Sequence, residues 1–302
     1  MKRFLWGLAT IAPLSAALAA PSQAWAQATQ EVVIAEEDVV VVEEEPSVNT
    51  GAFSLAGGID WTTAYFFRGY QQENAGLIFQ PYFTLSTPIV ENDDYTVSGY
   101  IGTWNSFHSK KTFQSGTGPS TWYESDLFGG IDVSFGDWTI GTVYTFYTYP
   151  NGAFNTIQEI GFRVGYNDAA LTEEQIGFAL KPYAAVYFET KDGNGTEDTY
   201  LELGIAPSWG LGDSDITLSV PVVLGMSLDD YYVDGDGDNE FFGYSSIGLF
   251  ASMPLDGIPA RYGSWTLTGG VQWLFLGADG LEAANNGDDN ELIAKIGLGF
   301  SY

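Results

Sequence analysis

From Phe53 to the C-terminus, apolar and polar side chains alternate with period two in long, turn-bounded runs. Twelve runs can be counted: 53–68, 78–89, 95–106, 122–135, 138–149, 157–167, 176–190, 198–209, 215–228, 241–254, 265–276 and 290–302. In the run 215–228, Ile216, Leu218, Val220, Val222, Leu224 and Met226 share one face. Thr217, Ser219, Gly225 and Ser227 are among those on the other. Period two is the repeat of a strand with two unlike faces, and helical spacing fits none of these runs as well. Length then separates two kinds of strand. Soluble strands average ~5–6 residues, whereas a tilted strand crossing a bilayer needs about 9–11. These runs are long enough to span. The expected fold is all-β, a transmembrane antiparallel β-barrel of about twelve strands.

The gaps between runs sort into two sets. Residues 90–94, 136–137, 168–175, 210–214 and 255–264 connect at one rim, and 69–77, 107–121, 150–156, 191–197, 229–240 and 277–289 at the other. The second set is longer on average and carries acidic, Gly-rich tips. Short periplasmic turns with longer outer loops, and an even strand number, are the pattern of bacterial outer-membrane barrels. Both termini are therefore expected at the periplasmic rim.

The N-terminus reads as an export signal. Lys2-Arg3 precede an apolar stretch, Phe4 to Ala20, and Ala24-Trp25-Ala26 is a small-x-small cleavage site. The expected organisation is a signal peptide over 1–26, an acidic periplasmic leader over 27–50 and the barrel over 51–302. Residues 31–46 hold seven acids and no base, interleaved with Val clusters, which favours an extended linker. Composition excludes several classes. With 39 acids against 10 bases, nothing here could neutralise nucleic-acid phosphates. Zero cysteines remove disulfides and thiol chemistry, and a single histidine, His108, removes any site needing two imidazoles.

The final run carries Ala294, Ile296, Leu298 and Phe300 on one face, with Tyr302 at the end. This resembles the C-terminal signature of bacterial outer-membrane barrels, and implies the barrel-insertion machinery and outer-membrane lipid as partners. Aromatics cluster at run ends, as in interfacial girdles: Phe53, Tyr95, Phe135, Trp138, Trp209, Trp265 and Tyr302 at the inner rim, Tyr65, Phe67, Phe146, Phe188 and Trp273 at the outer one. The stretch Thr63-Ala64-Tyr65-Phe66-Phe67-Arg68-Gly69-Tyr70-Gln71-Gln72 resembles the opening strand of the Gcw-chp type, a bacterial outer-membrane barrel family of unknown function. Thr63-Ala64 stands where that family has Ser-Asp. The resemblance implies membrane residence and no chemistry.

Parity assigns Asp60, Arg68, Glu124, Asp126, Asp132, Glu159, Arg163, Lys181, Glu189, Glu202 and Lys295 to the barrel interior. That is seven acids and four bases, with the lipid-facing positions almost free of charge. A Lys or Arg facing lipid at mid-bilayer costs ~2–4 kcal/mol, so the segregation suits a barrel. The functional expectation is a passive pore lined by these residues, passing small cationic or neutral solutes. The alternative is a closed structural or surface-interaction barrel. No enzymatic activity is expected: His108-Ser109 are adjacent at a loop start, where consecutive side chains diverge, and His108 reads as a solvated loop residue. Calcium is the one cofactor to consider, at Asp234, Asp236 and Asp238 in a loop of six acids over 229–240, though that loop departs from the EF-hand pattern.

Overall fold

The computed structural model describes residues 52–191 and 197–302. The signal peptide and the leader lie outside the described residues.

The alternation becomes an inside and an outside. Along β5 (Thr96–His108), Ser98, Tyr100, Trp104, Ser106 and His108 are buried, while Ile101 between them is exposed. Along β7 (Trp138–Thr148), Thr139, Val143, Thr145 and Tyr147 point in, and Ile140 and Phe146 point out. The other wall strands are β1 (Ser54–Thr62), β4 (Ile78–Glu91), β6 (Trp122–Phe135), β8 (Ile157–Tyr166), β9 (Tyr183–Lys191), β14 (Phe242–Pro254), β15 (Ser264–Leu276) and β16 (Asn290–Ser301). Two further staves are each made of two pieces. β10 (Thr199–Ile205) and β11 (Ser208–Gly210) break at Ala206-Pro207, and β12 (Thr217–Ser219) and β13 (Val222–Asp229) at Val220-Pro221. Proline has no N–H to give the ladder, which is why the ladder is interrupted there. The Val220 N–H still donates to the Pro207 carbonyl at 2.9 Å, so the staves stay joined across both breaks.

Closure is complete. β1 pairs antiparallel with β4 on one side and β16 on the other, Ile59 lying between Pro81 and Leu298. The result is a closed antiparallel barrel of twelve staves. Both chain ends of the barrel meet at one rim, where Leu55 and Tyr302 exchange backbone hydrogen bonds of 2.8 and 2.7 Å. Tight turns share that rim. Gly136, with φ +53°, opens the two-residue turn between Phe135 and Trp138, where a positive φ matches the twist of the flanking strands.

Two expectations fail at element ends. The run 176–190 does not begin as strand, because Ala169–Ile176 form helix α1, and β9 starts only at Tyr183. Ala, Leu, Glu and Gln fill that segment, all strong helix formers. Gly177 at φ +86° closes the helix by donating to the Glu173 carbonyl. The run 53–68 is cut more sharply. The wall strand ends at Thr62, and residues 63–77 turn away to form the hairpin β2 (Tyr65–Phe67) and β3 (Tyr70–Glu73), a separate two-stranded sheet. A second short helix, α2 (Asp279–Ala284), lies in the last connection of the same rim. Among the described residues, no helix is long and apolar enough to cross a membrane.

Candidate functional site

The hairpin β2–β3 lies inside the barrel, with Tyr65, Phe66 and Arg68 buried against the wall strands. Phe67 pairs with Tyr70, leaving Arg68-Gly69 as a two-residue turn with φ of +48° and +88°. Positive φ at both positions is the type I′ arrangement that hairpins favour. Only Gly takes such a φ without strain, and a Cβ on Gly69 would also lie 2.7 Å from Leu281 Cδ1 of α2.

Arg68 carries the turn to the opposite wall. Its Nη1 and Nη2 donate to Glu159 on β8 at 2.6 and 2.9 Å, and Nη1 also reaches the Tyr231 hydroxyl at 3.3 Å. The guanidinium sits over the Tyr200 and Tyr187 rings, at 4.2 and 4.4 Å from their centroids. A fork-to-fork ion pair with ring faces on its flanks is the geometry in which arginine differs most from lysine. The connection after β13 comes down to meet the hairpin. The Tyr232 hydroxyl donates to the Arg68 carbonyl at 2.9 Å, and the Tyr70 hydroxyl to the Tyr231 carbonyl at 3.0 Å. Burial, then Asp198 nearby, pushes the Tyr70 hydroxyl up to about 12, so it remains a donor at neutral pH. At the hairpin's base, Tyr65 donates to Glu124 at 2.8 Å and Gln72 accepts from Tyr123.

Most of the interior charges expected from parity do face inward. Asp60, Glu124, Asp126, Asp132, Glu159, Arg163 and Glu202 are buried at 0–6% exposure. Side chains lining a water-filled channel would be wetted, and these seven are packed against other groups instead. Arg163 donates to Asp132 at 2.5 Å and to the Tyr100 hydroxyl at 3.0 Å. Glu202 accepts from Tyr200 at 2.8 Å and Tyr183 at 3.2 Å. Glu189 and Lys295 are half-buried, in register with Glu159 and Thr62. Two residues are placed differently from expectation. Arg68 faces inward from the hairpin turn and not from a wall strand. Lys181 is not on the wall either: it lies between α1 and β9 at φ +51°, its backbone N–H on Asp168 and its ammonium 3.5 Å from Ser208 Oγ. Asp168 captures that backbone where a strand had been expected.

Other side chains move from rim to interior. Tyr65 and Phe67, expected in the outer girdle, leave with the hairpin, and Tyr65 is buried in the lumen. His108 is buried rather than solvated. Its Nε2 lies 2.9 Å from Ser106 Oγ and its Nδ1 2.9 Å from Thr112 Oγ1, which in turn donates to Glu73. Ser109 instead binds the Leu77 N–H at 2.8 Å. In the acidic loop, Asp234 Oδ1 accepts the N–H groups of Asp236 and Asp238, each at 2.9 Å, closing its own turn. Among the described residues, no three carboxylates or imidazoles gather closely enough to hold a metal, so the expected Asp234, Asp236 and Asp238 set is not assembled. Sequence reasoning missed Tyr231 and Tyr232, an aromatic pair inside that acidic loop, which is the local sign of a loop that folds inward.

No protein-family model matches the sequence, and no curated protein matches it. The resemblance of residues 63–72 to the Gcw-chp opening strand thus gains no support from a family match, and those residues leave the wall after Thr62. Solved structures give likenesses at low identity. An outer membrane channel from Pseudomonas putida F1 is 8% identical, covering 86% of this chain and 100% of that one, with a TM-score of 0.49. Outer membrane phospholipase A from Escherichia coli is 12% identical over 81% and 92%, with a TM-score of 0.41. The translocator domain of the autotransporter NalP from Neisseria meningitidis is 13% identical over 83% and 89%, with a TM-score of 0.40. Function has to be read from this chain's own residues.

Proposed function

We propose that this protein is an outer-membrane barrel channel held shut by its own hairpin β2–β3, and that it passes small cationic or neutral solutes when the hairpin leaves the lumen. Membrane residence is supported by the exterior, where Ile101, Leu127, Ile140, Leu224 and Ile247 are exposed without charge. Trp138 and Tyr302 sit exposed at one rim, and Phe146 and Trp273 towards the other, as girdles do. The outward face of β16, ending in Phe300, supports insertion by the barrel-assembly machinery with both termini periplasmic.

The observation that carries the gating is the Arg68–Glu159 pair. One turn residue spans the lumen, and the contact is polar and reversible. With the hairpin withdrawn, Arg68 leaves too. The interior would keep seven acids (Asp60, Glu124, Asp126, Asp132, Glu159, Glu189, Glu202) against Arg163 and Lys295, a lining that favours cations. We hold the role to be non-enzymatic: while the hairpin is docked, Ser106 is fully buried and accepts from Gln80 at 3.3 Å, so the Ser106–His108 contact is closed to an acyl substrate. A permanently closed surface barrel is the second reading, favoured by the packing of Leu281 and Tyr232 onto the hairpin turn.

Swelling of proteoliposomes tests the proposal. The native chain should admit small amines and sugars slowly, and Arg68→Ala should admit them several-fold faster. Equal rates would favour the closed barrel.

A further inference from the structure

Two carboxylates on β6 are left over by the closure. Glu124 and Asp126 are one residue apart in a period-two strand, so both project into the lumen side by side, each 1% exposed. Glu124 accepts the Tyr65 hydroxyl. Asp126 lies in register between Trp104 of β5 and Tyr147 of β7. No donor among the described residues reaches either of its oxygens, and each of those oxygens shows less than 1 Å² of surface.

The nearby bases serve other acids. Arg68 donates to Glu159 and Tyr231, and Arg163 to Asp132 and Tyr100. The Tyr147 hydroxyl is given to Glu159 as well, at 3.0 Å. Two adjacent carboxylates withdrawn from water repel each other, and neither has a counter-charge. If both are ionised they lack positive charge, which either a bound cation or a proton shared by the pair supplies. Tyr65, whose hydroxyl is on Glu124, packs its ring 5.3 Å from that of Trp104, the residue in register with Asp126, so an aromatic side chain that complements a cation accompanies each carboxylate. Two carboxylates fall short of the six to eight oxygens that calcium takes. The scant accessible surface of Asp126 leaves no way in for an organic ammonium while the hairpin is docked.

We propose that Glu124 and Asp126 form a binding site for a small monovalent inorganic cation of sodium's class, trapped as hairpin β2–β3 docks. The site belongs to the docked state and stands whether or not the barrel conducts.

Thermal unfolding of the full mature chain in detergent, followed by near-ultraviolet dichroism and by gel mobility, tests the site. Sodium chloride, calcium chloride and N-methyl-D-glucamine chloride are compared at equal ionic strength. The midpoint should be several degrees higher in sodium than in N-methyl-D-glucamine, with saturation as sodium rises. Asp126→Asn should abolish that increment and raise the midpoint in N-methyl-D-glucamine. Glu124→Gln should reduce it, and decides the matter if Asp126→Asn does not assemble. Equal midpoints in sodium and N-methyl-D-glucamine, stabilisation by calcium alone, or an undiminished sodium increment in the variants would overturn the proposal.

Discussion

Arg68 combines three costs in one residue: a left-handed backbone, a desolvated charge and a rigid side-chain geometry. Each is offset, two of them by groups on the far side of the lumen and one by the turn itself. Glu159 supplies the opposite charge, Tyr187 and Tyr200 supply ring faces, and the turn itself needs a positive φ. Removing one partner of a buried pair leaves an unmatched charge and costs about 3–5 kcal/mol. Arg68→Ala should therefore free the hairpin by an amount in that range, read as protease cleavage within 63–77. The double variant Arg68→Ala, Glu159→Gln should lose less than the sum of the single losses, since the two side chains act as a unit. Additive losses would mean that the pair does not latch the hairpin. Gly69→Ala should loosen the same hairpin by about 1–3 kcal/mol, from its positive φ alone, with Leu281 adding a clash. Unchanged cleavage would show that the turn adjusts. The inward direction of Asp60, Glu124, Asp126, Asp132 and Glu202 was legible from parity, because a strand gives a side chain only two directions. What those carboxylates touch was not. Tyr65 reaches Glu124 from the hairpin and Tyr183 reaches Glu202 from the neighbouring strand; only Tyr200 shares a strand with the carboxylate it serves.

The twelve staves follow the alternation of their segments closely, for the reason that makes barrels readable: each wall residue faces either the packed interior or the exterior. Leu127 on β6 tests the face assignment with one position. It is 50% exposed between inward Asp126 and Phe128. Leu127→Lys should cost ~2–4 kcal/mol if the position faces lipid near mid-bilayer, and so cut the yield of folded, heat-modifiable barrel. Leu127→Met should leave the yield unchanged. Equal assembly of both variants would contradict the lipid-facing exterior. The two elements that alternation misjudged fail for different reasons. In Tyr65-Phe66-Phe67 the pattern of a strand persists, and period two cannot distinguish a strand in the wall from a strand inside it. The local sign was Gly69, which takes without strain the positive φ that a type I′ turn needs at its second position. Before β9, the helix-forming run Ala169–Ile176 was legible by propensity but read as a turn followed by strand.

At the scale of the whole molecule, the barrel has an exterior suited to lipid, two rims of unequal loop length and an interior with more acids than bases. The interior is packed because connections at the rim opposite the chain ends fold into it. Hairpin β2–β3, the Tyr231–Tyr232 segment and α2 meet at the Arg68–Gly69 turn. A barrel closed this way conducts only if the hairpin moves, and its interior then carries the sign of its acids. Cation preference should weaken as salt rises, because the Debye length falls from about 10 Å at 0.1 M to 3 Å at 1 M. The most direct measurement is single-channel recording under a salt gradient. The native barrel should be compared with one in which a short Gly-Ser turn joins Thr62 to Ile78 in place of residues 63–77. The native protein should stay closed for most of the record. The shortened barrel should show steady openings with a cation-selective reversal potential. A shortened barrel that folds, keeps its heat-dependent gel mobility and still passes no current would contradict the hairpin as the gate.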